Sequence, residues 1–162
     1  DLPVLVNGEL VGRLSIGVEP SGPQLIAAGW SFGFCGGYCA ADLQLHDDML
    51  RVTGSQHGLT TLYQNRGALT EVGRDRLHVA LAELGRAELE PVYGCPDYAD
   101  QGAAYLTLLR DGSAERIEMG FADPPDELYP LYDIAISIIE ALETCESTSL
   151  VSPADDCAPY QR

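Results

Sequence analysis

The sequence predicts an α+β domain: an antiparallel sheet of about five to seven strands, with two amphipathic helices packed on one face. Three observations carry this. Short runs rich in branched and aromatic residues are separated by Asn-Gly, Asp-Asp and Asp-Gly turn signals, as the strands of hairpins are. Two longer windows instead place apolar residues at helical spacing. Hairpin regions interleaved with helices favour antiparallel pairing, with the helices gathered on one side and a second face open to water.

The first hairpin joins Val4-Leu5-Val6 to the run from Leu10 to Ile16. Asn7-Gly8 between them supplies the positive φ angles that a tight type I′ turn demands. Glu19-Pro20-Ser21-Gly22-Pro23 then breaks the chain. Gln24 to Phe34 and Tyr38 to His46 read as strands joined by the loop Cys35-Gly-Gly-Tyr-Cys39. Asp47-Asp48 turns the chain into Met49 to Thr53, and Leu59 to Gln64 follows. From Thr70 to Leu84 the residues Val72, Leu77, Ala80, Leu81 and Leu84 form an apolar stripe, with Thr70 placed to cap the start and Gly85 the end.

A loop from Pro91 to Gln101 carries Cys95. Ala103 to Leu109 and Arg116 to Phe121 then flank Asp111-Gly112 as a further hairpin. Asp123-Pro-Pro-Asp126 blocks that strand and is expected to open the second helix with acidic residues in its first turn. Leu128, Leu131, Ile134, Ala135, Ile138, Ile139 and Leu142 give this helix a continuous apolar stripe. The outer face of the sheet is expected to carry Gln44, His46, Arg116 and Glu118. The predicted division is a single α+β domain over residues 1–146 and a polar C-terminal tail over residues 147–162, tethered by Cys157.

Composition excludes several classes of partner. The chain has 162 residues, enough for one domain with a real core. Its nine basic residues are all arginine against 25 acids, and the net charge of −16 opposes nucleic acid and anionic lipid. No run approaches the roughly 18 apolar residues of a membrane span. The absence of lysine fits a genome rich in G and C or adaptation to an acidic or saline setting, and Asp1 in place of a methionine fits a mature exported chain, as it would a trimmed one. The expected location is therefore secreted, periplasmic or at the cell surface.

Five cysteines in an oxidising compartment allow two disulfides and one leftover thiol. Proximity favours Cys35 with Cys39 and Cys145 with Cys157, in preference to Cys145 with Cys95. Cys95 is then the free thiol, expected as a small buried hydrophobe. A five-residue ring stabilises by roughly 2 kcal/mol and a 13-residue one by roughly 3, so the first fixes a turn and the second pins the tail. Three residues between Cys35 and Cys39, two of them glycine, do not match the two-residue spacing of thioredoxin chemistry. His46, His57, His78 and Cys95 lack the paired spacing of a zinc site.

Other constellations are thin. Asp97 and Asp100 resemble a fragment of a calcium loop without its terminal glutamate, so a solvated loop is the expectation and no cofactor is implied. Ser55-Gln-His57 lacks a nucleophile elbow, and the glycines near Gly33, Gly36 and Gly37 lack a phosphate-binding pattern. Trp30, Phe32, Phe34 and Tyr38 alternate beside the cysteine loop. They are core packing if their face is covered and a partner surface if it is not.

The segment Cys35-Gly-Gly37-Tyr-Cys39, with the order of elements from Ser31 to Leu142, resembles a family of exported bacterial proteins of uncharacterised function marked by a Cys-x-Gly-x-Cys strand motif. That family usually has proline after the second cysteine, where this chain has Ala40. The resemblance implies an envelope or extracellular location and no particular activity. The expected function is a non-catalytic exported module that binds a protein partner or serves a surface assembly. The alternatives are a thiol- or metal-handling protein using Cys35, Cys39 and Cys95, and a secreted enzyme inhibitor presenting the Cys35 to Cys39 loop.

Overall fold

The computed structural model describes residues 2–6, 9–14, 22–33, 35, 38–56, 60–85, 87–98 and 101–160, with the backbone alone for 2–6 and 9–14. Strands β1 (Leu2–Val6) and β2 (Glu9–Leu14) pair antiparallel as a separate hairpin, with Val6 opposite Glu9. The Asn7-Gly8 turn itself lies outside the described residues. The remaining strands form one eight-stranded sheet: β3 (Gln24–Ser31), β4 (Ala40–His46), β5 (Met49–Gln56), β6 (Thr60–Leu69), β7 (Val92–Tyr93), β8 (Ala103–Arg110), β9 (Ser113–Gly120) and β10 (Val151–Pro153). Their spatial order is β10-β6-β5-β4-β3-β8-β9-β7, antiparallel throughout except where β7 runs parallel to β9.

The predicted α+β class holds, and the strand number was set slightly too low. The additional strands are the two edges, β7 and β10, of two and three residues. Neither is long enough to show an alternating pattern, so pairing with a neighbour defines them and local sequence does not. The expected tail is correspondingly more than tethered. Val151 to Pro153 pairs with Leu69 to Gly67, and Leu150 and Val151 are buried in the core.

The helices carry the chain across the sheet twice. Helix α1 (Glu71–Leu84) leaves β6 and leads towards the β7 to β9 side, while α2 (Tyr129–Thr144) follows β9 and leads back to β10 beside β6. Thr70 caps α1 by accepting from the Gly73 N–H at 3.0 Å, and Gly85 closes it with a positive φ of 54°. The inward residues of α1 are Gly73, Leu77, Ala80, Leu81 and Leu84. Val72, expected in the stripe, is exposed, because Gly73 is the residue one full turn before Leu77. All seven predicted stripe residues of α2 are buried. Its first turn holds no acid, however. Pro130 sits at the helix start, and the Leu128 and Tyr129 N–H groups both donate to the Pro125 carbonyl in the turn before it. Proline suits that position because its missing donor has no helical partner there.

Sheet register places Ala28, Leu43, Val52, Leu106 and Ile117 in one row beneath the helices. The next row in, on the opposite face, contains Glu118, Tyr105, Gly29, Asp42, Thr53 and Gln64. Gln44, His46, Arg116 and Glu118 all fall on this helix-free face, as their alternation predicted. Gly29 has a specific role there. A Cβ on it would lie 2.6 Å from the Tyr105 ring and 2.4 Å from the Ala41 carbonyl oxygen, so its absence lets Tyr105 lie flat across β3.

Gly73 inverts a general rule. In an exposed helix interior, alanine is favoured over glycine by roughly 0.5–1 kcal/mol. Here an added Cβ would stand 2.1 Å from the Leu150 carbonyl oxygen and 3.0 Å from its Cα, backbone that a side-chain rotation cannot move. Gly73→Ala is therefore expected to lower the unfolding free energy by about 1–3 kcal/mol in denaturant titration. A stabilising effect would show that the tail is not held against α1.

Candidate binding site

Two cysteine pairs lie at disulfide distance, Cys35 with Cys39 and Cys145 with Cys157, with Cα separations of 5.7 and 5.8 Å. They fit an oxidising environment. Both converge on one polar-aromatic cluster. Tyr38, inside the small ring, donates its hydroxyl to Glu143 Oε2 at 2.5 Å. Glu143 lies two residues before Cys145 and is buried. Its carbonyl accepts the N–H of Tyr160, three residues beyond Cys157. One staple thus sets the phenol, and the other sets both the end of α2 and the returning tail.

Asn65 completes the brace. Its side chain is buried on the helix-facing side of β6. It donates to the Leu142 and Ala158 carbonyls at 2.7 and 3.0 Å and accepts from the Ala158 N–H at 3.2 Å. Cys145 ends α2 in the left-handed region, with φ 56°, where glycine is usual. The small ring is anchored by backbone bonds from Phe32 N–H to the Cys39 carbonyl and from Cys39 N–H to the Ser55 carbonyl, both 2.8 Å.

Around these groups runs a continuous chain of aromatic rings. Tyr132 touches Phe121, Phe121 touches Phe32 and Trp30, Trp30 touches Tyr38, and Tyr38 touches Tyr63 and Tyr160, at centroid distances from 4.9 to 6.3 Å. Most of these contacts are edge to face, the arrangement that ring quadrupoles favour. Tyr63 is buried and lies over Gly54, whose missing Cβ makes room for the ring. The rings of Trp30, Phe32, Tyr38, Phe121, Tyr132 and Tyr160 are each only partly covered. Gly102, with φ 83°, lets the loop before β8 pass against the Phe32 ring.

The sequence singled out part of this cluster. Trp30 and Tyr38 pack against the core on the helix side, Phe32 joins them at the rim, and Phe34 lies outside the described residues. Glu143, Asn65, Tyr63, Phe121 and Tyr160 were not singled out. Glu143 carried a signal: it stands four residues after Ile139, on the apolar stripe of α2, where an acid is out of place. Asn65 is similarly an inward position of an alternating strand. Tyr160 carried none, because its placement depends on the fold of the tail.

Other sequence candidates are not brought together. Cys95 is exposed, which corrects the buried hydrophobe expected of it, and it forms no disulfide. It sits in the turn after β7, where Tyr98 N–H donates to its carbonyl. Asp97 is exposed in the same loop with φ 58°, and Asp100 lies outside the described residues. Among the described residues no group of three or more His, Cys, Asp or Glu is placed to hold a metal ion. The Ser55 hydroxyl is buried without a partner among the described residues, and His57 lies outside them. Among the described residues no helix is long and apolar enough to cross a membrane.

The helix-free face holds a second polar group. Tyr105 donates to Asp42 Oδ1 at 2.5 Å, and the Arg116 guanidinium lies 3.6 Å above the Tyr105 ring while its Nε donates to Glu118. Burial, aided by the bond to Asp42, pushes the Tyr105 phenol well above its ordinary range.

The chain was compared with protein-family models, with curated proteins and with solved structures. None matches. The motif resemblance at Cys35 to Cys39 therefore rests on that segment and on the order of elements, and the site is read from its own geometry.

Titration of the unreduced protein with a thiol reagent should give one reactive thiol, mapped to Cys95; three or more would contradict the paired cysteines. Tyr132 sets an alkaline limit. Its hydroxyl donates to the Phe121 carbonyl at 2.6 Å, and burial raises its pKa from 10.0 to about 12. The folded state then holds this proton where the unfolded chain releases it. Its contribution is fully present below pH 10 and is lost as pH rises from there towards about 12. Tyr132→Phe should flatten that part of the stability profile, measured by denaturant midpoints across the range.

Proposed function

We propose that this chain is a non-catalytic exported module that binds a protein partner through the aromatic end of its sheet. The observation that carries the reading is the set of six contiguous, partly exposed rings, from Tyr132 through Phe121, Phe32, Trp30 and Tyr38 to Tyr160. Aromatic side chains are enriched at binding hot spots because they offer large contact area with few rotatable bonds. Two cysteine pairs and the Asn65 bonds hold these rings before any partner arrives, which lowers the entropy lost on binding. The net charge of −16 favours a partner with a basic rim.

The test is cross-linking of the tagged full chain in an extract of the envelope or medium in which it occurs. Phe32→Ala is expected to abolish a cross-linked partner band, while Arg51→Ala on the opposite sheet face keeps it, with circular dichroism unchanged in both. A band retained in Phe32→Ala, or lost in both variants, would remove the aromatic end from the interface.

A further inference from the structure

We propose that the cleft between α1 and the start of β3, remote from the residues of the aromatic cluster, binds a small aliphatic carboxylate. The cleft encloses about 580 Å³, within the roughly 300–1,000 Å³ typical of small-molecule pockets. Its walls are mainly apolar: Leu25 and Ile26 from β3, Leu45 from β4, and Leu77 and Leu81 from α1. Polar side chains gather on one side, where the turn between β4 and β5 meets the first half of α1. These are Asp47, Asp48, Arg74 and His78, with Gln24 of β3 also in the lining. An apolar chamber with polar groups at one side suits an amphiphile with a short apolar body and one polar head.

The hydrogen bonds already made decide the sign of that head. Asp48 is occupied, accepting from Arg74 Nε at 2.8 Å and Nη2 at 2.7 Å. Asp47 stands 3.3 Å from the ring of His46. A cationic head would have to compete with Arg74 for Asp48, and Asp47 offers it only a solvated rim, its side chain being 89% exposed. Arg74, by contrast, spends only part of its five-donor fork on Asp48, and among the described residues its Nη1 makes no hydrogen bond. His78, one turn later on the same face of α1, makes none either. The spare groups are thus donors, and a planar carboxylate fits a guanidinium edge. The negative charge of the whole chain opposes an anion at long range, but it is screened beyond about 8 Å in physiological salt. Inside the cleft Arg74 and Asp48 offset each other, the Asp47 side chain is 89% exposed and so screened by solvent, and the donors are local.

Isothermal titration of the full chain with decanoate, and separately with decanol, tests this. Decanoate should bind at least about tenfold more tightly than decanol. Arg74→Gln should remove that difference by weakening decanoate alone, and Ala82→Trp, at an exposed position lining the cleft, should weaken both by about tenfold or more. Circular dichroism establishes that each variant is folded. Absence of decanoate binding to the unaltered chain overturns the proposal, as does equal binding of acid and alcohol or insensitivity to Ala82→Trp. None of these outcomes bears on the aromatic end, which Phe32→Ala reports separately.

Discussion

Burial of one stripe of α2 against the inner face of the sheet is the contact on which the rest of the molecule depends. Leu128, Leu131, Ile138, Ile139 and Leu142 are each at most 1% exposed. The helix touches β3, β4, β5, β6 and β10, covering the middle of the sheet and one of its edges. At about 1.5–3 kcal/mol for each fully buried large side chain, these five residues outweigh a five-residue disulfide ring at roughly 2 kcal/mol. The staples therefore refine a fold that apolar burial already specifies. The end of α2 also delivers Glu143, Cys145 and the tail to one place. The Tyr38 bond, the second disulfide, β10 and the Tyr160 ring all depend on where that helix lies.

Charge is deployed differently from apolar surface. With nine arginines against 25 acids, cations are scarce, and several are spent on joining elements. Arg74 holds the β4 to β5 turn to α1 through Asp48, Arg66 of β6 holds the tail through Asp156, and Arg110 donates to the Ala87 carbonyl in the segment after α1. The Arg74 guanidinium holds the Asp48 carboxyl below its ordinary range. The Arg74 and Arg66 pairs are solvent-exposed and each contributes little stability. Their effect is to fix which segments meet. The cleft beside Asp48 and Arg74 owes its polar side to one such junction, whereas its apolar walls are the ends of core rows that α1 does not fully cover.

The aromatic end and the cleft also differ in how they are held. At the aromatic end, covalent links, Asn65 and ring contacts fix the geometry from several sides, so a partner would meet a preformed surface. At the cleft, shape comes from the spacing of a helix and a sheet, and the donors sit on a single helix face. The first is suited to a broad contact and the second to a small ligand.

The sequence alone determined the elements whose patterns are local. Thr70 and Gly85 bound α1 because capping depends on the neighbouring few residues. Asp111-Gly112 set the β8 to β9 register because that turn type admits little else. The seven-residue stripe of α2 was legible because 3.6-residue periodicity survives in any context that buries it. Both cysteine pairs followed from proximity, since short loops close at least entropic cost. The fold alone decided the two edge strands, the partners that the inward Glu143 and Asn65 find, the exposure of Cys95 and the meeting of Tyr38 with Tyr160 across more than a hundred residues. Those features depend on contacts between segments distant in the chain, and a strand of two residues has no period of its own to announce it.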